Sequence, residues 1–401
     1  MHDIRAENLK GIVRSEIEPY SEMDESEIKR LIAEIVYRET SDVHLSLKEK
    51  EALVKSIFDS IRKLDILQEL IEDEEVSEIM VNGYERIFIE KGGSIREWDK
   101  SFATREKLDD VIQQIVSSCN RVVNESEPIV DARLTGGERV NIVLSPPAIN
   151  GPIMTIRRFP KEVFTMKKLI ENGSISSEAA GFLKDAVTAG YNIFVSGGTS
   201  SGKTTLLNVL CDFIPPKERV ITIEDSAELN IKTIENLVRL ETRNSNSSGC
   251  EAITIRDLIK TALRMRPDRI IVGEVRGAEV VDMLQAFNTG HEGSLSTGHA
   301  NSARDMITRL EAMYLQSSEI PLEAIRKQIA SGIDILVHLE RGRDGKRRVT
   351  EIDELTSDGN RSIALNTLFE LEEGPEGIRI VKKGELINTS KLNKVKKPER
   401  K

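Results

Sequence analysis

Asn192-Ile-Phe-Val-Ser-Gly-Gly-Thr-Ser-Ser-Gly-Lys-Thr-Thr205 decides the fold. Asn192–Val195 is a short apolar run of buried-strand type, and Leu206, Leu207, Leu210 and Phe213 follow at helical spacing. Between them, Gly197–Thr204 fits G-x-x-x-x-G-K-[ST] with a strand before it and a helix after it, the setting this motif requires. Its glycines let the backbone curl until successive N–H groups converge on the β- and γ-phosphates of a nucleotide, and the helix N-terminus adds partial positive charge. Lys203 brings a full positive charge to the phosphates, and Thr204 offers a hydroxyl to Mg²⁺. The expected cradle is therefore Gly197, Gly198, Thr199, Ser200, Ser201, Gly202, Lys203, Thr204 and Thr205. A dinucleotide-binding fold is excluded, because no G-x-G-x-x-G is present.

Outward from this loop the chain alternates helix and strand, which predicts an α/β fold with a mostly parallel sheet. Val220–Ile223 and Arg269–Val272 are further buried-strand runs, each ending in a polar or glycine-rich turn where ligands of such sheets sit. Acids stand at both ends: Glu224-Asp225 after the first run and Glu274 after the second. A phosphate-loop enzyme needs such an acid to hold a metal or activate water, and here glutamate stands where aspartate is usual. His291 and His299 lie in the polar stretch Thr289–Asn301. A zinc-protease pattern is rejected, because Leu295 stands where its second histidine would be. A histidine closing such a stretch suits a sensor of the terminal phosphate, while a hydrogen-bonded turn residue is the plain reading for His291. Arg133, Arg139, Arg157 and Arg158 lie N-terminal to this domain and are candidates to offset charge in phosphoryl transfer, with surface ion pairs as the alternative.

Residues 1–66 read as helices, with Ser46 and Glu49 in capping-box spacing. Ile79–Val81 and Arg86–Glu90 around Asn82-Gly83 read as a hairpin. Arg139–Leu144 and Ile153–Arg157 read as strands. The expected division is a helical segment 1–66, a small α/β domain 67–157, a connector 158–170, a P-loop domain 171–370 and an extension with a basic tail 371–401. The 401 residues carry 57 Lys and Arg against 67 Asp and Glu, a net charge of −10 that disfavours direct nucleic-acid binding. Positive charge clusters only at Lys391, Lys394, Lys396, Lys397, Arg400 and Lys401, which suits a solvated end or a weak tether to anionic lipid. No apolar stretch approaches the roughly 18 residues of a membrane span, and residues 1–30 lack the core of a secretion signal. The expectation is an intracellular protein. Cys119, Cys211 and Cys250 are too few and too scattered for a disulfide framework or a tetracysteine zinc site.

Taken together, Gly197–Thr204, Thr222–Leu229, Arg269–Glu274 and Gly290–Asn301 resemble the four signatures of the type II/IV secretion ATPase superfamily. Ser77–Gly83, Asp131–Leu134, Gly151–Phe159, Leu263–Asp268 and Glu274–Glu279 are similar to the Flp/Tad pilus-assembly ATPases of the CpaF type. The resemblance implies a RecA-like P-loop domain preceded by a PAS-like small α/β domain and an N-terminal helical segment. It implies a hexameric, cytoplasmic ATPase associated peripherally with the inner face of the membrane, using ATP and Mg²⁺. Its partner would be a polytopic inner-membrane platform through which pilin is assembled. On this resemblance Glu224 is the base or water-orienting acid, and Glu274 with Thr204 supports Mg²⁺, the two glutamate roles being exchangeable. His299 senses the γ-phosphate, and Arg139 with Arg157 or Arg158 reaches the nucleotide. The alternatives are a conjugative or type IV secretion ATPase moving protein or DNA, and a nucleotide-dependent switch with little turnover.

Overall fold

The computed structural model describes residues 9, 11–13, 16, 24–41, 45–119, 121–158, 164–243, 251–357, 362–374 and 377–396. Two compact units divide the chain, Met1–Glu162 and Val163–Lys401.

In the first unit, helices α1 (Glu25–Glu39) and α2 (Leu47–Arg62) each begin with a closed capping box, Asp24 with Glu27 and Ser46 with Glu49. Their apolar stripes meet as a small core of Ile28, Ile32, Ile35, Val36, Ile57 and Phe58, so the helical reading of this segment has its own packing basis. After α3 (Leu67–Glu72) come β1 (Val76–Asn82), β2 (Arg86–Lys91), β3 (Ser94–Glu97), helix α4 (Arg105–Ser118), β4 (Ile129–Arg133), β5 (Arg139–Val143) and β6 (Ile153–Arg157). The strands form one antiparallel six-stranded sheet in the order β3-β2-β1-β6-β5-β4. Alternation explains the burial: Ile79, Val81, Val140, Ile142, Met154 and Ile156 share a core with Leu108, Ile112 and Ile115 of α4. The edge strand β3 had no sequence signal, because all four of its residues are exposed.

The second unit opens with α5 (Met166–Glu171), α6 (Ser177–Thr188), β7 (Ile193–Gly197), α7 (Lys203–Cys211), β8 (Arg219–Glu224) and β9 (Asn236–Glu241). It continues with α8 (Ile255–Ala262), β10 (Arg269–Val272), α9 (Glu279–Asn288), β11 (Leu295–His299), α10 (Ala303–Leu315) and α11 (Leu322–Gly332). It closes with β12 (Ile335–Arg341), β13 (Arg347–Ser357), β14 (Ile363–Gly374), β15 (Gly377–Lys382) and α12 (Ser390–Lys396). One nine-stranded sheet runs in the order β15-β14-β13-β12-β7-β11-β10-β8-β9. Its half from β12 to β9 is parallel, as the apolar runs predict, and is covered by a helix-lined core on each face. The half from β12 to β15 is antiparallel, because those strands follow one another with no helix between them.

The stretch set apart above as an extension completes this sheet through β14 and β15. Tyr191 donates its hydroxyl to the Asn388 carbonyl at 2.6 Å, and Lys391 reaches Asp334 at 2.7 Å and the Gly190 carbonyl at 3.1 Å. Lys391 is thus a packed ion-pair residue; the side chains of Lys394 and Lys396, and residues 397–401, lie outside the described residues. Cys250 and the connector residues 159–163 do so as well. Among the described residues, no helix is long and apolar enough to cross a membrane.

One buried acid sets a pH signature on stability. Asp353 of β13 is fully buried, and burial first, then repulsion from Glu351 on the same face, raises its carboxyl to about 7. The folded value lies above the unfolded one of 3.8, so the group costs nothing near pH 4 and its cost grows to full size above pH 7. Asp353→Asn is therefore expected to be more stable than the parent at pH 8, by up to about 4 kcal/mol, with the difference closing by about pH 4. Denaturant midpoints at the two pH values check this.

Candidate functional site

β7 delivers the chain to Gly197, where any side chain would strike the protein: a Cβ there would sit 2.3 Å from the Leu339 carbonyl oxygen and 2.6 Å from Ser201 Oγ. The loop then turns through Ser200 at φ +58° and Gly202 at φ +100°, the second a left-handed position that favours glycine. Gly198, Thr199 and Ser200 are exposed, whereas Ser201 and Lys203 are buried. α7 starts at Lys203 with Gly202 as its N-cap and no side chain bonded to its first-turn amides, so those donors suit an anion. Thr204 and Thr205 stand half-buried in that first turn.

Sheet order assembles the rest. β11 lies between β7 and β10, and its register sets His299 directly beside Gly197. Lys203 Nζ donates to the carbonyls of Gly197 at 3.0 Å and Gly198 at 2.8 Å, and stands 3.2 Å from His299 Nδ1. On the other side of the ring, His299 Nε2 is 2.8 Å from Glu274 Oε1. Glu274 Oε2 in turn accepts from Arg276 Nη2 at 2.9 Å. Burial lowers the His299 imidazole below its usual range, with Glu274 opposing, and burial likewise lowers Lys203. A neutral ring can accept from Lys203 at Nδ1, while its Nε2 stands against Glu274 Oε1 as a close contact, that oxygen being buried without a hydrogen-bond partner. The result is a continuous line from the lysine of one strand end to the glutamate of another.

Glu224, at the end of β8, is only 3% exposed. Its Oε1 accepts the amides of Glu228 at 2.8 Å and Leu229 at 2.9 Å, while Oε2 is buried without a hydrogen-bond partner. Burial raises this carboxyl, and the two amides partly offset the rise. A carboxylate aimed by one oxygen with the other left bare suits a group that takes a proton or holds a water. Gly273 makes room for it: a Cβ there would lie 2.9 Å from Glu224 Cγ.

The arginines of the first unit divide. Arg158 is buried, and its Nη1 donates to the carbonyls of Val76 at 2.8 Å, Leu70 at 3.4 Å and Asp73, a brace within its own unit. Arg133, Arg139 and Arg157 instead form one cross-strand row on β4, β5 and β6, Arg157 being exposed. His291 is a turn residue, its Nδ1 3.1 Å from the Ala286 carbonyl near the end of α9. The sequence reading gave Arg276 no role, although it lies in the stretch Glu274–Glu279 that carries the resemblance. It also missed Gly273, whose role shows only once β8 and β10 are neighbours.

No group of three or more His, Cys, Asp or Glu side chains among the described residues could hold a metal alone. Mg²⁺ keeps several waters and takes one or two protein ligands beside substrate phosphates. Thr204 and Glu274 are the residues that would hold it.

Residues 60–357 match the family described as type II/IV secretion system protein. A provisionally named conjugal transfer protein of Mycobacterium tuberculosis is 36% identical over 293 residues, which span 72% of this chain and 83% of that one. The type IV secretion system protein PtlH of Bordetella pertussis is 33% identical over 315 residues, 72% of this chain and 93% of the relative. Among solved structures, the pilus retraction motor PilT with bound ADP superposes with a TM-score of 0.54 at 22% identity, covering 82% of this chain and 86% of that one, a likeness of fold.

Proposed function

This chain belongs to the type II/IV secretion system protein family, and from that premise we propose that it is an ATP-hydrolysing motor acting as a homo-oligomeric, hexameric ring. The observation that carries the reading is the line Lys203–His299–Glu274 with the bare carboxylate oxygen of Glu224 beside it. The P-loop amides and Lys203 bind the β- and γ-phosphates, and Lys203 leaves the carbonyls of Gly197 and Gly198 to do so. Thr204 and Glu274 would hold Mg²⁺, which when bound would supply charge neutralisation to the phosphates. Glu224 orients the attacking water and accepts its proton through Oε2. His299 loses its lysine contact when the γ-phosphate arrives and regains it when phosphate leaves, which makes it the sensor. Arg139 and Arg157 offset the charge that develops in the transition state, each from its own chain or a neighbouring copy.

The work done is assembly of pilin, or secretion, through a polytopic inner-membrane platform, with the ring bound peripherally at the cytoplasmic face in the manner of Flp/Tad systems. The names of the relatives favour a second reading, transport by a conjugative or type IV secretion machine. The net charge of −10 argues that such a motor would not grip DNA itself.

Mg²⁺-dependent ATP turnover per chain, measured across a wide range of protein concentration, tests the motor. Turnover per chain should rise with concentration as copies assemble and complete one another's sites. Tight ATP binding with no turnover at any concentration, in the presence of membranes bearing the platform protein, would leave only a switch.

A further inference from the structure

Of the strand ends that form the site, β10 stops earliest. Its parallel ladder with β11 closes at Val272 and Ser296, just before Gly273 and Glu274. Beyond that point one residue of β11 takes over. Thr297 donates its hydroxyl to the Gly273 carbonyl at 2.7 Å, and its own carbonyl accepts the Val275 amide at 2.9 Å. The two peptide units that flank the Glu274 Cα are thus each bonded to Thr297. From the other side, the Ile223 carbonyl of β8 accepts the Gly273 amide at 2.8 Å. Gly273 is held between its two neighbouring strands, with Glu224 Cγ lying where a side chain would be.

Thr297 is only 1% exposed and stands two residues before His299, on the same face of β11. That strand therefore brackets Glu274: Thr297 ties its peptides, and the His299 ring stands against its carboxylate. The sheet does not need the hydroxyl to pair, since β10 already joins β8 over four residues and β11 over two. What the hydroxyl adds is a fixed orientation for the peptide that carries the chain from the strand into its terminal acid.

We propose that Thr297 is a positioning residue for hydrolysis: its hydroxyl sets the Gly273–Glu274 peptide and, through it, the placement of both Glu274 and Glu224. The inference rests on the hydrolytic reading above. Turning that peptide would swing Glu274 away from His299 and press Gly273 on Glu224, where a Cβ would already lie 2.9 Å from Glu224 Cγ. A displacement of about 1 Å at a reacting group costs on the order of a hundredfold in rate. The phosphate cradle lies on the turn from β7 to α7, so ATP binding does not depend on this hydroxyl.

Mg²⁺-ATP turnover and calorimetric ATP binding, measured on the full chain, test it with two variants. Thr297→Val keeps the branched shape and removes the hydroxyl. It should lower kcat by about ten- to a hundredfold, with KM and ATP affinity within about twofold of the parent's. Thr297→Ser keeps the hydroxyl and loses a methyl group, and should regain most of that rate. Parental turnover in Thr297→Val overturns the proposal. So does a loss in Thr297→Ser as large as in Thr297→Val, or a loss of ATP affinity that matches the loss of rate, since either makes Thr297 a packing residue of the sheet. A parent chain without turnover, or with turnover unaltered by Glu224→Gln and by Glu274→Gln, would instead remove the hydrolytic reading, and this inference with it.

Discussion

Glu224→Gln should bind ATP as tightly as the parent chain while turnover falls by about 10²–10⁴-fold, the usual worth of a positioned proton acceptor. The substitution preserves shape and keeps an oxygen that can accept the amides of Glu228 and Leu229, so the loop after β8 stays in place. It removes the charge from the buried oxygen that has no partner in the protein. Binding is untouched because Glu224 lies three strands from β7, with β11 and β10 between them. Steady-state turnover and equilibrium ATP binding on the same preparation separate the two effects. Wild-type turnover in Glu224→Gln would transfer the base role to Glu274. That outcome requires Glu274 to let go of Arg276 or His299 first.

Lys203→Ala should weaken Mg²⁺-ATP binding by about a hundredfold or more, the scale on which a buried charged partner is lost. Lys203 is buried and already partly desolvated, so little solvation is lost when phosphate replaces its present carbonyl partners. In the variant the terminal phosphates would face the loop amides alone, and His299 would lose its contact at Nδ1. Unchanged affinity in a titration of the variant would remove the P-loop assignment. A loss of turnover with affinity retained would move Lys203 from binding to catalysis.

The sequence by itself determined the phosphate cradle, the parallel strands and the helical caps, because each depends on contacts only a few residues apart. Gly197, Gly202 and Lys203 are legible because the curl of a phosphate loop is set by its own backbone angles. Buried parallel strands such as Ile193–Gly197 and Arg219–Glu224 declare themselves as apolar runs because both faces are covered. The box at Ser46, legible from its spacing to Glu49, closes within a single turn.

Only the tertiary structure decided which strand ends meet. In the chain the runs come as β7, β8, β10, β11; in the sheet they stand as β7, β11, β10, β8, so His299 rather than Glu224 touches the lysine. Local periodicity holds nothing about that order, since a buried strand looks alike wherever it pairs. The same holds for Arg158, turned inward by carbonyls more than eighty residues earlier, and for Arg347, joined to Ser200 across 147 residues. Gly273 became explicable only when Glu224 was found lying over it. Composition and spacing name the chemical groups, but hydrogen bonds and charge fall off within a few ångströms. Which groups act on one another is therefore settled by strand order and packing.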